Sequence, residues 1–324
     1  AAYALASQGR DVLLLEANPH AARRFAGEWL HPPGVEILED LGLGPLECAS
    51  HHRDGDGFVV YPDDGGAPVK LPYVDGREAA SFEHRQLVEE LRSKAADHSG
   101  VDYRPFTRAT QVEPGRVDIQ EARSDETVSV RSETIVGADG YSSVARNALG
   151  FDDEAKTVSY MGALALHDFD MPFEGFGHVI LGGPGPVLLY RVGADEVRVS
   201  IDVPVERSDL RRDHDALHDA IVPMLPNGIA ERVAEEIEDG NIRWAARRFR
   251  PHIHYGRDGI ALVVPLNYLE ESLFGEVQTC GAVVEGGDHR PGQDPATVAF
   301  TKPPQGRREL GSRQQSGKLS VPTH

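Results

Sequence analysis

Three observations predict an α/β (α+β) fold in two lobes. Near the N-terminus a helix-like stretch, residues 1–10, runs into the apolar Val12-Leu13-Leu14-Leu15 and then an acid, Glu16, which is the second half of a βαβ unit. Further on, Thr134-Ile135-Val136 enters the turn Gly137-Ala138-Asp139-Gly140 and then a helix started by Ser142 or Ser143, because a serine hydroxyl can accept a hydrogen bond from the free N–H groups of a first turn. Between this turn and residue 240 lies a strand-rich middle, in which residues 177–191 and 196–203 form apolar runs broken by Pro/Gly and Gly-Ala-Asp turns, the pattern of antiparallel strands.

Taken in order, the helix at residues 1–9 has no cap and no preceding element, so the strand and Gly-rich turn that would open its unit are absent from this sequence. Next comes Arg24-Phe25-Ala26-Gly27-Glu28-Trp29-Leu30-His31-Pro32-Pro33-Gly34, a tight corner beside an arginine, followed by a helix with apolar Val35, Ile37, Leu38 and Leu41 and a stop at Gly42. Residues 81–92 read as an amphipathic helix with Leu87, Val88 and Leu91 on one side. Residues 101–103 and 109–113, the latter containing Val112, read as strands. A helix is expected over 229–237, after which Asn241-Ile242-Arg243-Trp244 returns the chain towards the first lobe and 259–263 forms its last strand. The division is 1–150 for the first lobe, 151–240 for the second, 241–263 for the return and 264–324 for a disrupted tail.

Composition removes several functions. Lys plus Arg total 33 against 52 Asp plus Glu, a formal charge of −19, so nucleic acid is not an expected partner. The two cysteines, Cys48 and Cys280, have neither metal-ligand spacing nor a disulfide framework and suit a reducing, cytoplasmic setting. No apolar run is long enough to cross a bilayer, which leaves peripheral membrane contact as the most the chain would make. No metal site is expected. His31, His84 and His178 are isolated and read as hydrogen-bonded or surface groups rather than ligands. Residues 302–324 carry a net charge of +4 with no apolar periodicity and read as disordered; a reading-frame change near Val264 accounts for the break better than a binding arm does.

In this order, the corner after Arg24, the helix at Arg85, the Gly-Ala-Asp-Gly turn and the strand-rich middle with its Pro-Val-Leu-Leu-Tyr strand resemble FAD-dependent monooxygenases of the squalene epoxidase type over about residues 1–263. The resemblance implies a para-hydroxybenzoate-hydroxylase-like fold, an FAD-binding Rossmann-like domain with an inserted antiparallel-sheet substrate domain. It implies that Glu16 faces the adenosine ribose, Arg24 the pyrophosphate, and Asp139 with Gly140 the flavin linker. Arg85 would be a further contact, with Gln86 the alternative if the register slips by one. Trp29 falls in the flavin-side corner, and the strand of Val112 on the adenine side. The assignments of Glu16, Asp139, Arg24 and Arg85 have a chemical warrant, since a carboxylate suits hydroxyls and a guanidinium suits phosphate.

The activity implied is insertion of one oxygen atom from O2 into an apolar, isoprenoid-like alkene, with FAD reduced by NAD(P)H directly or through a reductase partner. The alternatives are a flavin-dependent reductase of prenyl lipids, of geranylgeranyl type, and an inactive truncated remnant. Val264-Pro265 stand where the family carries Gly-Asp, and Gly287-Asp288 come 24 positions after Val263. Loss of that pair and of the opening Gly-rich turn is expected to weaken FAD binding by about two orders of magnitude or more, giving a colourless, poorly folded protein. The chain is expected to be an incomplete gene product.

Overall fold

The computed structural model describes residues 1–20, 28–49, 55–140, 142–151, 155–249 and 256–263. Helix α1 (Ala2–Ala6) turns through Gly9 into β1 (Val12–Glu16), which pairs in parallel with β6 (Val101–Pro105), Val12 lying opposite Val101 and Glu16 opposite Pro105. A parallel strand is covered on both faces, which is why β1 is a continuous apolar run and not an alternating one. Between these strands the chain forms β2 (Trp29–Leu30), α2 (Pro32–Asp40), β5 (Ala80–Ser81) and α3 (His84–Ala96), with β2 and β5 antiparallel.

A second parallel pair joins β10 (Ile135–Gly137) to β17 (Ile260–Leu262), with Ile135 opposite Ile260 and Gly137 opposite Leu262. Strand β16 (Gly256–Arg257) returns onto β17 through Asp258 and Gly259. Both of those residues have positive φ, 55° and 75°, the backbone that a two-residue hairpin turn demands and that Asp-Gly supplies. Helix α4 (Val144–Ala148) follows β10 and packs, with the antiparallel sheet β7 (Thr107–Glu113), β8 (Arg116–Glu121) and β9 (Thr127–Arg131), around a core of Val112, Val117, Ile119, Ile135, Ala145 and Leu149.

The larger body is a seven-stranded sheet in the order β15-β11-β14-β13-β12-β3-β4. Its strands are β3 (Gly57–Tyr61), β4 (Val69–Pro72), β11 (Lys156–His167), β12 (Phe176–Ile180), β13 (Val187–Arg191), β14 (Glu196–Pro204) and β15 (Arg243–Phe249). All pairs are antiparallel except β12 with β3. Helices α5 (His214–Ile221) and α6 (Ile229–Glu238) cover one face, where Leu217, Ile221, Ile229, Val233 and Ile237 close over Val197, Val199, Ile201 and Val203 of β14. The alternate residues of that strand, Arg198, Ser200 and Asp202, point to the opposite face, as the period of two requires.

The sheet draws on segments outside residues 151–240. Strands β3 and β4 precede it in sequence, and β15, which contains Arg243 and Trp244, is its edge strand, so within 241–263 the pairing with β10 is made by residues 260–262. Trp244 lies against the same apolar cluster that α5 and α6 cover, which is the physical reason this segment stays with the sheet.

Candidate functional site

Glu16 ends β1. Its carboxylate accepts a hydrogen bond from the Asn18 backbone N–H at 2.9 Å and stands 3.4 Å from the guanidinium of Arg92, which also donates to the Pro19 carbonyl at 2.7 Å. The side chain is one-third exposed, so lone pairs remain for hydroxyls of a ligand at the carboxyl end of the strand, where open α/β sheets bind ligands.

Asp139 lies two residues beyond β10. One carboxylate oxygen accepts from the backbone N–H of Val144 at 2.6 Å and of Ala145 at 3.2 Å, and Ser143 caps the same helix by accepting from Arg146 N–H at 2.9 Å. The helix therefore begins at Ser143 rather than Ser142, and Asp139 is bound to its first turn. This closeness depends on Gly137, where a Cβ would sit 2.5 Å from that of Ala145 and 3.0 Å from a methyl of Leu262. At Gly140, φ is +74° and nothing lies within 4 Å of a Cβ position, so the turn is open to close approach by a ligand. The strand after it in the pair, β17, is tied to the turn by Val263 N–H donating to the Gly137 carbonyl at 2.9 Å.

The corner at residues 28–34, which contains β2, lies on the face of the large sheet opposite α5 and α6. Glu28 (1 % exposed) and Arg198 of β14 (3 %) form a two-point ion pair at 3.0 and 3.2 Å, Tyr190 of β13 donates to Glu28 at 3.3 Å, and Glu196 contacts Arg198 at 2.7 Å. Burial pushes the Glu28 carboxyl above its ordinary range, against the opposing pull of Arg198. Trp29 packs on Phe58 and Tyr190, ring centroids 5.4 and 6.1 Å away, and its indole N–H donates to the Tyr73 hydroxyl at 3.0 Å. That hydroxyl also meets His31 Nδ1. Burial pushes the Tyr73 phenol up, and the bond from Trp29 opposes this. Around this corner the same face presents Val60, Val179 and Leu188, aligned across three strands with Phe58 and Tyr190 at their ends.

The remaining residues singled out in the sequence are placed differently. Arg85 is half-exposed on the first turn of α3, 3.7 Å from Glu83 and 3.8 Å from Glu89. The Val112 side chain is buried in the core under α4, leaving only its backbone for an adenine contact. Arg24, Val264-Pro265, Cys280 and Gly287-Asp288 lie outside the described residues. His178 is a core residue with no exposure. Its Nδ1 meets the Phe176 carbonyl at 3.0 Å, and burial lowers its pKa to about 4.

A separate cleft of about 490 Å3 is lined by Glu47, Cys48, Gln86, Glu89, Glu90, Ser93 and Lys94. Burial acts to raise Glu90, but Lys94 and the backbone N–H groups of Cys48 and Glu47 outweigh it and hold the carboxyl at about 2. Burial and Glu90 push the Cys48 thiol up to about 12, which makes it a poor nucleophile at neutral pH. Among the described residues no group of three or more His, Cys, Asp and Glu side chains is placed to hold a metal ion, and no helix is long and apolar enough to cross a membrane.

Sequence reasoning missed Arg92, Arg198, Tyr190 and Tyr73. For Arg92 a signal existed, because it follows Arg85 by seven residues and so shares its helix face. For Arg198 there was none, since its partner lies 170 residues away.

This arrangement defines the class as the fold of FAD-dependent monooxygenases of the para-hydroxybenzoate-hydroxylase kind. A Pseudomonas aeruginosa protein, PqsL, described as a probable FAD-dependent monooxygenase, matches with a TM-score of 0.62 over 81 % of this chain and 73 % of its own at 20 % identity. The oxygenase of 2-methyl-3-hydroxypyridine-5-carboxylic acid gives 0.62 over 81 % and 70 %, also at 20 % identity.

Residues 132–267 match the squalene epoxidase family model, and the chain is similar to squalene epoxidases over most of its length. It is 32 % identical to squalene epoxidase ERG1 of Gibberella zeae over 63 % of this chain and 46 % of that protein. It is 24 % identical to mouse squalene monooxygenase over 84 % and 48 %. The chain thus spans about half the length of the curated relatives it matches.

Proposed function

We propose that this chain is the FAD-binding and sheet-bearing part of a flavin-dependent monooxygenase resembling squalene epoxidase, which inserts one oxygen atom from O2 into an apolar, isoprenoid-like alkene. The observation that carries this reading is that the family match, residues 132–267, takes in the Asp139 turn, most of the large sheet and β17 together. The described groups suit the hydroxyl-bearing parts of FAD. Two carboxylates, Glu16 and Asp139, stand at the carboxyl ends of parallel strands, and the Gly140 turn leaves room for backbone approach. The pyrophosphate falls to Arg24, with Trp29 in the flavin-side corner, Arg85 as a further cationic contact, or Gln86 as a neutral one in its place, and the Val112 strand at the adenine.

When bound, reduced FAD supplies the activation of dioxygen. The protein's part is to bind and exclude water. Glu16 and Asp139 accept hydrogen bonds from ribose and ribityl hydroxyls, and the second face of the sheet, through Phe58, Val60, Val179 and Leu188, offers an apolar wall on which an alkene chain lies without competing water. Such an oxygenase takes electrons from NAD(P)H, directly or through a reductase. Cytoplasmic placement with peripheral membrane contact belongs to the same proposal, because the substrate would be a lipid. The prenyl-lipid reductase alternative is less well supported, since the relatives reported above are epoxidases and monooxygenases by name.

The test is turnover of squalene by the FAD-supplemented protein with NADPH and a flavoprotein reductase, in air and under argon. Formation of a product heavier by one oxygen atom in air alone is expected. Saturation of a double bond under argon would favour the prenyl-lipid reductase instead.

A further inference from the structure

We infer that the Glu28–Arg198 ion pair is a latch that fixes the corner at residues 28–34 onto the second face of the seven-stranded sheet, and that Arg198 is thereby a positioning residue for this corner. The latch follows from the geometry alone. That the corner serves a flavin rests on the proposed function.

Burying two charges is costly, and an apolar pair of the same volume would be at least as stabilising. A buried pair of this kind leaves room for a role beyond cohesion, and its geometry points to one. A guanidinium meeting a carboxylate at two points allows a single placement. Nη2 of Arg198, which donates to Glu28, also meets Glu196 at 2.7 Å, and Glu28 is held by its main chain as well, its carbonyl accepting from Phe82 N–H at 3.0 Å. With Glu28 fixed in this way, the next residue, Trp29, can enter only between Phe58 and Tyr190, and Gly55 leaves it that space, since a Cβ there would lie 2.5 Å from the indole. The β2–β5 pairing and the Trp29–Tyr73 hydrogen bond hold the corner to its own neighbours; the ion pair ties it to β14 and so sets its register on the sheet. The joined parts are far apart in sequence, so the latch ties the nucleotide-type half to β14, an interior strand of the sheet.

The experiment uses the full chain with Trp244→Phe, which leaves Trp29 as the single tryptophan of the original two. Acrylamide quenching of Trp29 and amide hydrogen exchange over residues 28–34 are followed, with α6 as the internal control. Arg198→Met should raise the quenching constant about threefold and speed exchange over 28–34 at least tenfold, while α6 changes less than twofold. If Arg198→Met fails to fold, as loss of α6 protection would show, the double variant Glu28→Gln/Arg198→Met, which removes both charges of the buried pair and leaves only the part-exposed Glu196, gives the same readout. A merely cohesive pair would let this neutral double variant protect Trp29 as in the parent, and that result would overturn the proposal. FAD affinity is measured alongside. At least tenfold weaker binding in the folded variants is expected, whereas a parent that binds no FAD would overturn the flavin reading and leave the Trp29 result standing.

Discussion

The two parallel strand pairs and the seven-stranded sheet solve the same burial problem with different completeness. In the sheet, side chains from β11, β13, β14, α5 and α6 form one cluster in which Leu166, Val199, Ile201, Leu217 and Ile237 have no exposure at all. In the nucleotide-type half, β1–β6 and β10–β17 are separate sheets. Their apolar groups are shared between small clusters, with Val136 packing beside Leu5, Ala6 and Val12, and Leu15 beside Ile135 and Ile260. The sheet is held by its own core. The nucleotide-type half is held by several smaller apolar clusters together with local caps and ion pairs at its strand ends.

The same truncation should therefore cost different amounts in the two regions. Leu217→Ala opens a cavity in a core with no slack and should destabilise by about 2–5 kcal/mol, whereas Leu5→Ala, in a cluster that can collapse, should cost about 2 kcal/mol or less. Urea unfolding of the two variants checks this, and equal losses would break the contrast.

A second difference is pH. Burial lowers His178 from 6.5 to about 4, so the native state excludes a proton that the unfolded chain takes up. The stability this represents is present above about pH 6.5 and is lost progressively as pH falls towards 4, by up to about 3 kcal/mol. His178→Phe should flatten the acid limb of the sheet's unfolding curve. An acid limb unchanged in the variant would show that other groups govern it.

On the nucleotide-type side the effects are smaller and local. Gly137→Ala forces a methyl against Ala145 and Leu262 and should cost about 1–3 kcal/mol, read as faster amide exchange in α4 and β10 without change in α6. Asp139→Ala removes the acceptor for two N–H groups of α4 and should cost about 1 kcal/mol, with Asp139→Asn intermediate.

Much of this was legible from local pattern. The apolar run ending in Glu16, the Gly-Ala-Asp-Gly turn and the periodicity of 229–237 each specify an element and its buried face, because burial and turn chemistry act over a few residues. Strand partners are not written locally. The Arg-rich β15 gave no sign that it would form the edge of the large sheet, and residues 57–72 carried no local signal that assigned β3 and β4 to it. Of the site, Asp139 was legible because glycines flank it closely, whereas the Glu28–Arg198 pair depends on two residues that become neighbours only after the sheet has formed.

The central claim is that the carboxylates at the ends of the parallel strands make the nucleotide-type half a flavin site. Titration of the chain with FAD, followed by quenching of flavin fluorescence and repeated with Asp139→Ala and Glu16→Ala, tests it most directly. Saturable binding, weakened about tenfold or more in each variant for one charge-assisted hydrogen bond lost, is the predicted result. A parent without saturable quenching, or variants that bind FAD as the parent does, would contradict the claim.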